Sequence, residues 1–252
     1  MIARIDKIDG IYVKRNDLNE FCGCYGGKAE CIYRFIEQSE VKTFVTCGSR
    51  DSLQCEIVSQ MCENMGYDCH VFLPKGADTP SIRRMKEHGR TTLHPIPNGY
   101  MVVVKKRALE FATENNMTLI PFGMQVPHAV FTVASQTVNI PDDVKRVVVP
   151  VGGGITLCGI LWGLSEANRK DVEVLGILTG GDAEKTIRIY RPMYNPIRYS
   201  LVPWEEGTPT KRYADKAETS IGDVRLDPIY EGKCRKFLKE GDLFWIVGYH
   251  EV

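Results

Sequence analysis

Apolar residues along this 252-residue chain alternate between short continuous runs and runs with helical spacing. Short runs rich in valine, isoleucine and phenylalanine predict buried strands, whereas spacings of three and four predict helices with one buried face. Strands are predicted at 11–14, 41–47, 69–73, 91–94, 118–121, 146–151, 172–178 and 243–247. A helix is predicted to begin at Gly26, and others at 53–65, 79–88, 100–115, 129–138, 155–164 and 229–238. Residues 101–104 also fit a strand, and residues 185–225 are predicted to be irregular.

The order of these elements predicts an α/β protein. Strands alternate with helices, and each connection is long enough for a right-handed strand–helix–strand unit, so the sheets are expected to be mostly parallel and covered on both faces. Such sheets bind ligands beyond the carboxyl ends of their strands. Three glycine-containing turns follow predicted strands, at 48–52, 152–156 and 179–181.

Composition excludes several classes of function. Lysine plus arginine equals aspartate plus glutamate at 32 each, so no overall charge attracts nucleic acid, although a local patch still could. No apolar run is long enough to span a membrane, and the N-terminus lacks a signal-peptide pattern, so we expect a cytoplasmic protein without a membrane partner. The nine cysteines form no CxxC pair and suit reduced thiols. The five histidines show no ligand spacing with them, so no metal site is predicted.

Lys28 stands directly after two glycines, where a helix is predicted to begin. Glycines allow the backbone to approach a ligand closely. A lysine amine that loses water in such a place can have a lowered pKa and act as a nucleophile. The alternative is an ordinary lysine in the first turn of a solvated helix.

Gly152, Gly153 and Gly154 join a predicted buried strand to a helix. Unpaired backbone N–H groups and the positive end of the helix favour a phosphate there, and Thr156 could add a hydroxyl donor. The stretch has neither the lysine of a P-loop nor the GxGxxG pattern of a dinucleotide site. A tight turn without a ligand is the alternative. A phosphate site together with an activated lysine suggests pyridoxal phosphate as the cofactor.

Five motifs, in the same order along nearly the whole chain, resemble those of the fold type II pyridoxal-phosphate enzymes, the tryptophan synthase β superfamily. The closest likeness is to the branch of 1-aminocyclopropane-1-carboxylate deaminase and D-cysteine desulfhydrase. Residues 11–17 are similar to its KRDD-type opening, and residues 26–28 to its GGNK. Residues 46–54 are similar to TxGGxQSNH, residues 149–156 to its phosphate loop, and residues 226–233 to LDPVYxGK.

This resemblance implies the fold type II architecture, with two lobes that are each a mostly parallel twisted sheet covered by helices. Residues 1–40 and 125–252 would form the large, cofactor-binding lobe, and residues 41–124 the small lobe. The implied cofactor is pyridoxal 5′-phosphate. The implied assembly is a homodimer.

The resemblance also assigns roles to single residues. Lys28 matches the Schiff-base lysine, which would also serve as the general base at the substrate α-carbon. Ser52 matches a serine that faces the substrate, and Tyr230 matches a residue near it. Glu231 matches the carboxylate that pairs with the pyridine nitrogen. Read without the resemblance, Ser52 is a helix cap, Tyr230 a core residue and Glu231 an exposed helix carboxylate.

Four positions depart from the branch pattern. Gly27 replaces an asparagine, Glu30 an arginine, Leu53 the asparagine that contacts the cofactor, and Gln54 a histidine. These changes affect the identity of the substrate more than that of the cofactor.

Three functions follow as hypotheses. The first is a lyase, deaminase or decarboxylase acting on a small free amino acid. The second is an enzyme of viral DNA modification that acts on a nucleobase carrying an amino acid. It rests on residues 185–216, where basic and aromatic residues alternate as in surfaces that hold a nucleic-acid strand; a loop packed against the core or a partner is the alternative. The third is a relative without catalytic activity.

Overall fold

A computed structural model describes residues 1–97, 99–180, 183–190, 196–205, 215–217 and 219–248. The chain forms two compact units. Unit 1 comprises Met1–Asn19, Tyr25–Gly27 and the described residues from Gln125 onward, and unit 2 comprises Glu20–Cys24 and Lys28–Met124.

The secondary structure alternates between strands and helices. The strands are β1 (Ile5–Ile8), β2 (Ile11–Arg15), β3 (Glu20–Phe21), β4 (Cys24–Tyr25), β5 (Thr43–Cys47), β6 (Asp68–Pro74), β7 (Thr91–Ile96), β8 (Thr118–Ile120), β9 (Arg146–Val151), β10 (Glu173–Leu178), β11 (Tyr199–Pro203), β12 (Ser220–Ile221), β13 (Val224–Arg225) and β14 (Leu243–Ile246). The helices are α1 (Gly27–Glu37), α2 (Leu53–Met65), α3 (Pro80–Glu87), α4 (Met101–Glu114), α5 (Pro127–Ser135), α6 (Ile155–Glu166) and α7 (Glu184–Tyr190). Shorter 3₁₀ helices cover Asn16–Leu18, Phe122–Met124, Gln136–Asn139 and Glu231–Phe237.

Unit 1 is built on a sheet in the order β1-β2-β14-β9-β10-β11. β1 pairs with β2 in antiparallel fashion, and the remaining neighbours are parallel. Strand β14 is buried along its whole length and β9 from Val147 to Val151, as the consecutive valines of β9 require. Parallel strands end at one edge of the sheet, so the residues that follow them lie in a row. In sheet order, these residues are Asn16, Val247, Gly152, Thr179 and Trp204.

Unit 2 contains a parallel sheet in the order β7-β6-β5-β8. Val45, Phe72 and Val104 belong to its core, where α4 packs on the sheet. Helix α2 begins after Ser52 and ends at Gly66, which adopts a left-handed conformation with φ of 72°. These ends agree with the predicted bounds of 53–65.

The prediction of an α/β protein with parallel, helix-covered sheets is confirmed by this topology. Residues 101–104 belong to a helix rather than a strand. The prediction that residues 185–225 are irregular is wrong, because they include α7 and the edge strand β11. The helix predicted at 229–238 is present as the 3₁₀ helix Glu231–Phe237.

The compact units divide the chain differently from the predicted lobes at residues 20–24 and 28–40, which group with residues 41–124. Side chains explain this grouping. Asn64 donates to the Cys22 carbonyl at 2.8 Å, and the hydroxyls of Ser39 and Thr118 lie 2.9 Å apart. Among the described helices, none has the length and apolar content needed to cross a membrane.

Candidate cofactor site

The turn Gly152–Gly154 joins the buried strand β9 directly to α6. Gly154 has φ of +91°, and a Cβ there would lie 3.3 Å from side-chain atoms of Ala183 and Thr186, so this position requires glycine. Within the described residues, the N–H groups of Gly153 and Gly154 donate no hydrogen bond. They stand at the N-terminus of α6, with the half-buried Thr156 in its first turn. This arrangement suits a phosphate group.

Tyr230 lies against this turn. Its ring carbon Cε1 is 3.2 Å from the position that a Cβ on Gly152 would occupy. The Asp227 carboxylate accepts the N–H of Ile229 at 2.8 Å and that of Tyr230 at 2.9 Å, which fixes the backbone before the 3₁₀ helix. The structure therefore brings Tyr230 and the glycine turn together within unit 1.

Glu231 is completely buried, so the reading of an exposed helix carboxylate is wrong. Its Oε1 accepts the N–H of Val247 at 2.7 Å and that of Gly248 at 3.4 Å. Its Oε2 is buried without a hydrogen-bond partner among the described residues. Burial raises the pKa of Glu231 well above its usual value, and the nearby charge of Asp227 raises it further, against the backbone N–H groups that lower it. One carboxyl oxygen is thus left for a further hydrogen bond.

Val247 connects Glu231 to the residue before Lys28. The N–H of Gly27 donates to the Val247 carbonyl at 2.8 Å, while the Val247 N–H donates to Glu231. Gly26 has φ of +101°, and a Cβ there would lie 2.8 Å from the same carbonyl oxygen. Gly26 therefore allows a close backbone approach to Val247, and the Val247 carbonyl holds the N–H of Gly27, the first residue of α1.

Lys28 and Ser52 belong to unit 2. Ser52 accepts the N–H of Cys55 at 3.4 Å, which confirms its predicted place as the cap of α2. Burial raises the pKa of the Cys55 thiol to about 12, and the Ser52 hydrogen bond and the positive charge of Lys28 both lower it. The half-buried Lys28 is therefore within electrostatic reach of the first turn of α2.

Two of the departures from the branch pattern have structural explanations in unit 2. Gln54 donates to the Pro121 carbonyl at 2.9 Å and to the Thr46 hydroxyl at 3.2 Å, which joins α2 to the ends of the sheet strands. Glu30 is 1% exposed and accepts two hydrogen bonds from the guanidinium of Arg34 on the same helix. Both side chains stabilise local structure.

No role was predicted for Asn16 or Asp227 from the motifs. Asn16 is 2% exposed, and its Oδ1 is buried without a hydrogen-bond partner in the described part of the chain. Its amide nitrogen is 3.7 Å from the position of a Cβ on Gly27. A polar residue two positions beyond the predicted strand 11–14 was the available signal, because residues just past a strand fall on the ligand-binding edge of a parallel sheet.

The basic and aromatic residues of 185–216 differ in exposure. Lys185, Arg188, Arg198 and Lys216 are exposed, and Tyr199 and Trp204 are half-buried. Tyr190 is 5% exposed and packs inside unit 1, so it is not available to stack on a base. Five other residues of the stretch, and Gly181 of the 179–181 turn, lie outside the described residues: Arg191, Tyr194, Lys211, Arg212 and Tyr213. Contact of this stretch with DNA stays a prediction.

Solved structures share the fold of this chain. One is an ACC deaminase homologue, with a TM-score of 0.78 and 19% identity over 98% of this chain and 89% of that one. Another is threonine deaminase isoform 2 from Solanum lycopersicum, with a TM-score of 0.70 and 14% identity over 99% of this chain and 79% of that one.

Two curated proteins are similar in sequence. An O-seryl-dTMP PLP-dependent decarboxylase of Salmonella phage ViI is 27% identical over 170 residues, which are 62% of this chain and 34% of that protein. A biosynthetic L-threonine dehydratase of Mycobacterium tuberculosis is 26% identical over 186 residues, which are 71% of this chain and 43% of that enzyme. The matched region thus spans less than half the length of either relative.

Unit 1 fits the phosphate and the ring of pyridoxal phosphate. The glycine turn offers unpaired N–H groups to a phosphate, and the buried Oε2 of Glu231 suits a protonated ring nitrogen. The model of the family described as "Pyridoxal-phosphate dependent enzyme" matches residues 2–225. The chain therefore belongs to the fold type II pyridoxal-phosphate-dependent enzymes, and its cofactor is pyridoxal 5′-phosphate.

Proposed function

We propose that this chain is a lyase that acts at the α-carbon of an amino-acid substrate, as a decarboxylase or a deaminase. The observation that carries the proposal is the buried carboxyl of Glu231, with Oε1 held by two backbone N–H groups and Oε2 without a partner among the described residues. A carboxylate beside the ring nitrogen keeps that nitrogen protonated. When bound, the protonated cofactor draws electrons from the α-carbon, which favours loss of a carboxylate or a proton there.

Lys28 is the residue that we propose to hold the cofactor covalently through Nζ. When it is not bonded to the cofactor, this amine would accept or deliver the proton at the substrate α-carbon. Its half-buried position after Gly27 supports this role, because partial loss of water makes a lysine amine more nucleophilic.

The remaining predicted residues would bind the cofactor or orient the substrate. Gly152, Gly153 and Gly154 would hold the phosphate with backbone N–H groups, and the hydroxyl of Thr156 would add a donor. Tyr230, whose ring contacts this turn, would present its hydroxyl to the substrate. Ser52 can accept the Cys55 N–H through its oxygen and still donate its own proton to a substrate carboxylate.

Borohydride reduction followed by peptide mass mapping tests this assignment. We expect a pyridoxyl group on the peptide that contains Lys28, and none in Lys28→Arg, which keeps the charge but cannot form the covalent bond. Lys42→Arg is a matched control, because Lys42 is an exposed lysine of unit 2 that contacts the Ser39 carbonyl. A label on a different lysine, or equal labelling of Lys28→Arg, would contradict the proposal.

A second candidate differs only in the substrate, which would be an amino acid attached to a nucleotide. The similarity of the chain to the phage O-seryl-dTMP PLP-dependent decarboxylase, with 27% identity over 62% of this chain, favours it. Assays of carbon dioxide and ammonia release from O-seryl-dTMP, L-serine and L-threonine distinguish the two candidates. Turnover of the free amino acids alone would reject the nucleotide-linked substrate, and turnover of any of them would exclude a relative without catalytic activity.

A further inference from the structure

We infer that a cavity beside Trp204 in unit 1 binds the nucleotide portion of the substrate, with the base stacked on the indole and the phosphate held by Arg235 and Lys236. This inference rests on the second candidate of the proposed function. The nucleotide could be free or part of a DNA strand, because both present the same base and phosphate.

The cavity has a volume of 280 Å³ and is lined by Trp204, Ala217, Thr219, Lys233, Arg235 and Lys236, among others. This volume is near the lower end of the roughly 300–1,000 Å³ found for small-molecule sites, so it suits a single nucleotide better than a larger ligand. Trp204 is half-buried and contributes aromatic surface to the lining.

The spacing of residues in the 3₁₀ helix Glu231–Phe237 explains why two lysine side chains lie near the indole ring of Trp204. Residues three apart lie on the same side of a 3₁₀ helix, so Lys233 and Lys236 point in one direction. Their ammonium nitrogens are 5.1 Å and 5.8 Å from the centre of the Trp204 ring. The cavity therefore combines an aromatic surface with positive charge, as in sites that bind nucleotide bases and phosphates.

The cations of the cavity have different surroundings. Lys233 is 1% exposed and donates to the Thr179 carbonyl at 3.0 Å. Burial lowers the pKa of Lys233, and the negative charges nearby, first that of Asp215, raise it. The protein therefore compensates the positive charge of Lys233, and its buried side chain lines the cavity.

Arg235 and Lys236 are the cations available to a phosphate. Arg235 donates from Nε to the Ser220 carbonyl at 3.3 Å, which leaves its two terminal nitrogens for a ligand. Lys236 is exposed. Among the residues that the structure describes, no carboxylate lies within ion-pair distance of either side chain. A guanidinium beside an ammonium is a common arrangement for phosphate recognition.

The cavity also lies along the row of residues that follow the parallel strands. Trp204 follows β11, which is two strands from β9 and the glycine turn. Neighbouring strands are about 4.8 Å apart, so the two positions are separated by about 10 Å along this edge. That separation is within the length of one nucleotide with an amino acid attached to its base, so a substrate with its nucleotide in the cavity could extend its amino acid toward the cofactor held at the glycine turn.

Binding measurements on the full chain loaded with pyridoxal 5′-phosphate test the inference. The probes are dTMP, thymidine, inorganic phosphate and a labelled single-stranded oligodeoxynucleotide, each titrated at several salt concentrations. The variants are Trp204→Leu and the double variant Arg235→Gln/Lys236→Gln. Lys7→Gln/Lys170→Gln is the matched control, because it removes two exposed positive charges elsewhere in unit 1. Circular dichroism and thermal melting check the fold of every variant.

We expect dTMP to bind, with a loss of about tenfold in Trp204→Leu, since stacking on an aromatic side chain contributes about 1–3 kcal/mol per base. The double variant should lose about tenfold and show a weaker salt dependence, whereas the control should match the unmodified protein. Tighter binding of the oligonucleotide than of dTMP would show that the nucleotide of the substrate is part of a DNA strand. Tighter binding of dTMP would show that it is a free nucleotide.

Two results would overturn the inference. One is the absence of dTMP and oligonucleotide binding at low salt, or binding that neither variant changes. The other is inorganic phosphate binding as tightly as dTMP with no effect of Trp204→Leu. Labelling of Lys28 and release of carbon dioxide or ammonia from O-seryl-dTMP are measured independently of the cavity, so a failure of this inference is distinguishable from a failure of the proposed function on which it rests.

Discussion

Replacing the buried carboxyl of Glu231 tests the central feature of the site without relying on catalysis. Glu231→Gln keeps the size of the side chain and an oxygen that can accept the Val247 N–H, which lies 2.7 Å from Oε1 in the unmodified protein. It removes the titratable group at this position. In the cofactor-free protein, the effect should therefore be seen in the pH dependence of unfolding.

The sign follows from the raised pKa of Glu231 in the folded protein. Below about pH 4.3, the side chain is protonated in both the folded and the unfolded state. As the pH rises from there toward the folded-state pKa, the unfolded chain releases the proton and the folded protein keeps it. The free energy of unfolding should fall across this window by about 1.4 kcal/mol per pH unit. In Glu231→Gln, this contribution should be absent.

The amide of the variant has a separate effect that does not depend on pH. Its NH₂ group would replace the buried Oε2, which has no hydrogen-bond partner among the described residues. An unsatisfied buried donor costs about 1–3 kcal/mol, so the variant should be offset at every pH. The offset and the slope can therefore be separated in one data set.

Urea unfolding followed by tryptophan fluorescence is a suitable assay, because Trp162, Trp204 and Trp245 all belong to unit 1. Cofactor-free samples should be measured between pH 5 and pH 8 for the unmodified protein, Glu231→Gln and the control Glu166→Gln, which alters an exposed carboxyl of the same unit. Parallel profiles for the unmodified protein and Glu231→Gln would refute the reasoning, since they would mean that Glu231 has the same proton affinity in both states.

Three further changes have defined outcomes. Gly154→Ala should destabilise unit 1 by about 1–3 kcal/mol in urea unfolding, because of its φ of +91°. Gly153→Ala should cost less, because a Cβ there would meet only Gln125 Nε2, at 4.0 Å. Ser52→Ala should cost unit 2 about 1 kcal/mol in thermal unfolding by removing the cap of α2, and no loss would contradict the capping role. His70 Nδ1 lies 3.0 Å from His94 Nε2, and burial lowers the pKa of both side chains. The free energy of unfolding of unit 2 should therefore fall as the pH drops below about 6.5, and this fall should be smaller in His94→Gln.

Much of the fold could be predicted because the main strands carry local signals. The valines of β9 and the apolar runs of β5 and β6 identify buried strands without knowledge of their neighbours. The edge strand β11 gives no such signal, because Tyr199–Pro203 is only partly buried. It is extended because it pairs with β10, where Ser200 lies opposite Leu175, and that pairing depends on the folded sheet.

The candidate site also combines features that the local sequence predicts with features that depend on the folded structure. The glycine turn and Lys28 could be identified from the sequence, because loop-to-helix glycines and an adjacent lysine are neighbours in the chain. The environment of Glu231 could not, because it depends on Val247, which is 16 residues away, and on burial by the sheet. Asn16 was missed for a similar reason, since only the fold places its buried amide beside Gly27.

The backbone of Val247 links these distant parts of the chain. Its N–H donates to Glu231 and its carbonyl accepts from Gly27, so one residue orients both the carboxyl that would face the ring nitrogen and the residue that precedes Lys28. A Cβ at Gly26 would lie 2.8 Å from that carbonyl oxygen, whereas a Cβ at Gly27 would meet its nearest atoms at 3.7 Å. The backbone therefore demands glycine at 26 but not at 27, which is why the asparagine of related enzymes could be lost from 27 without disturbing this junction.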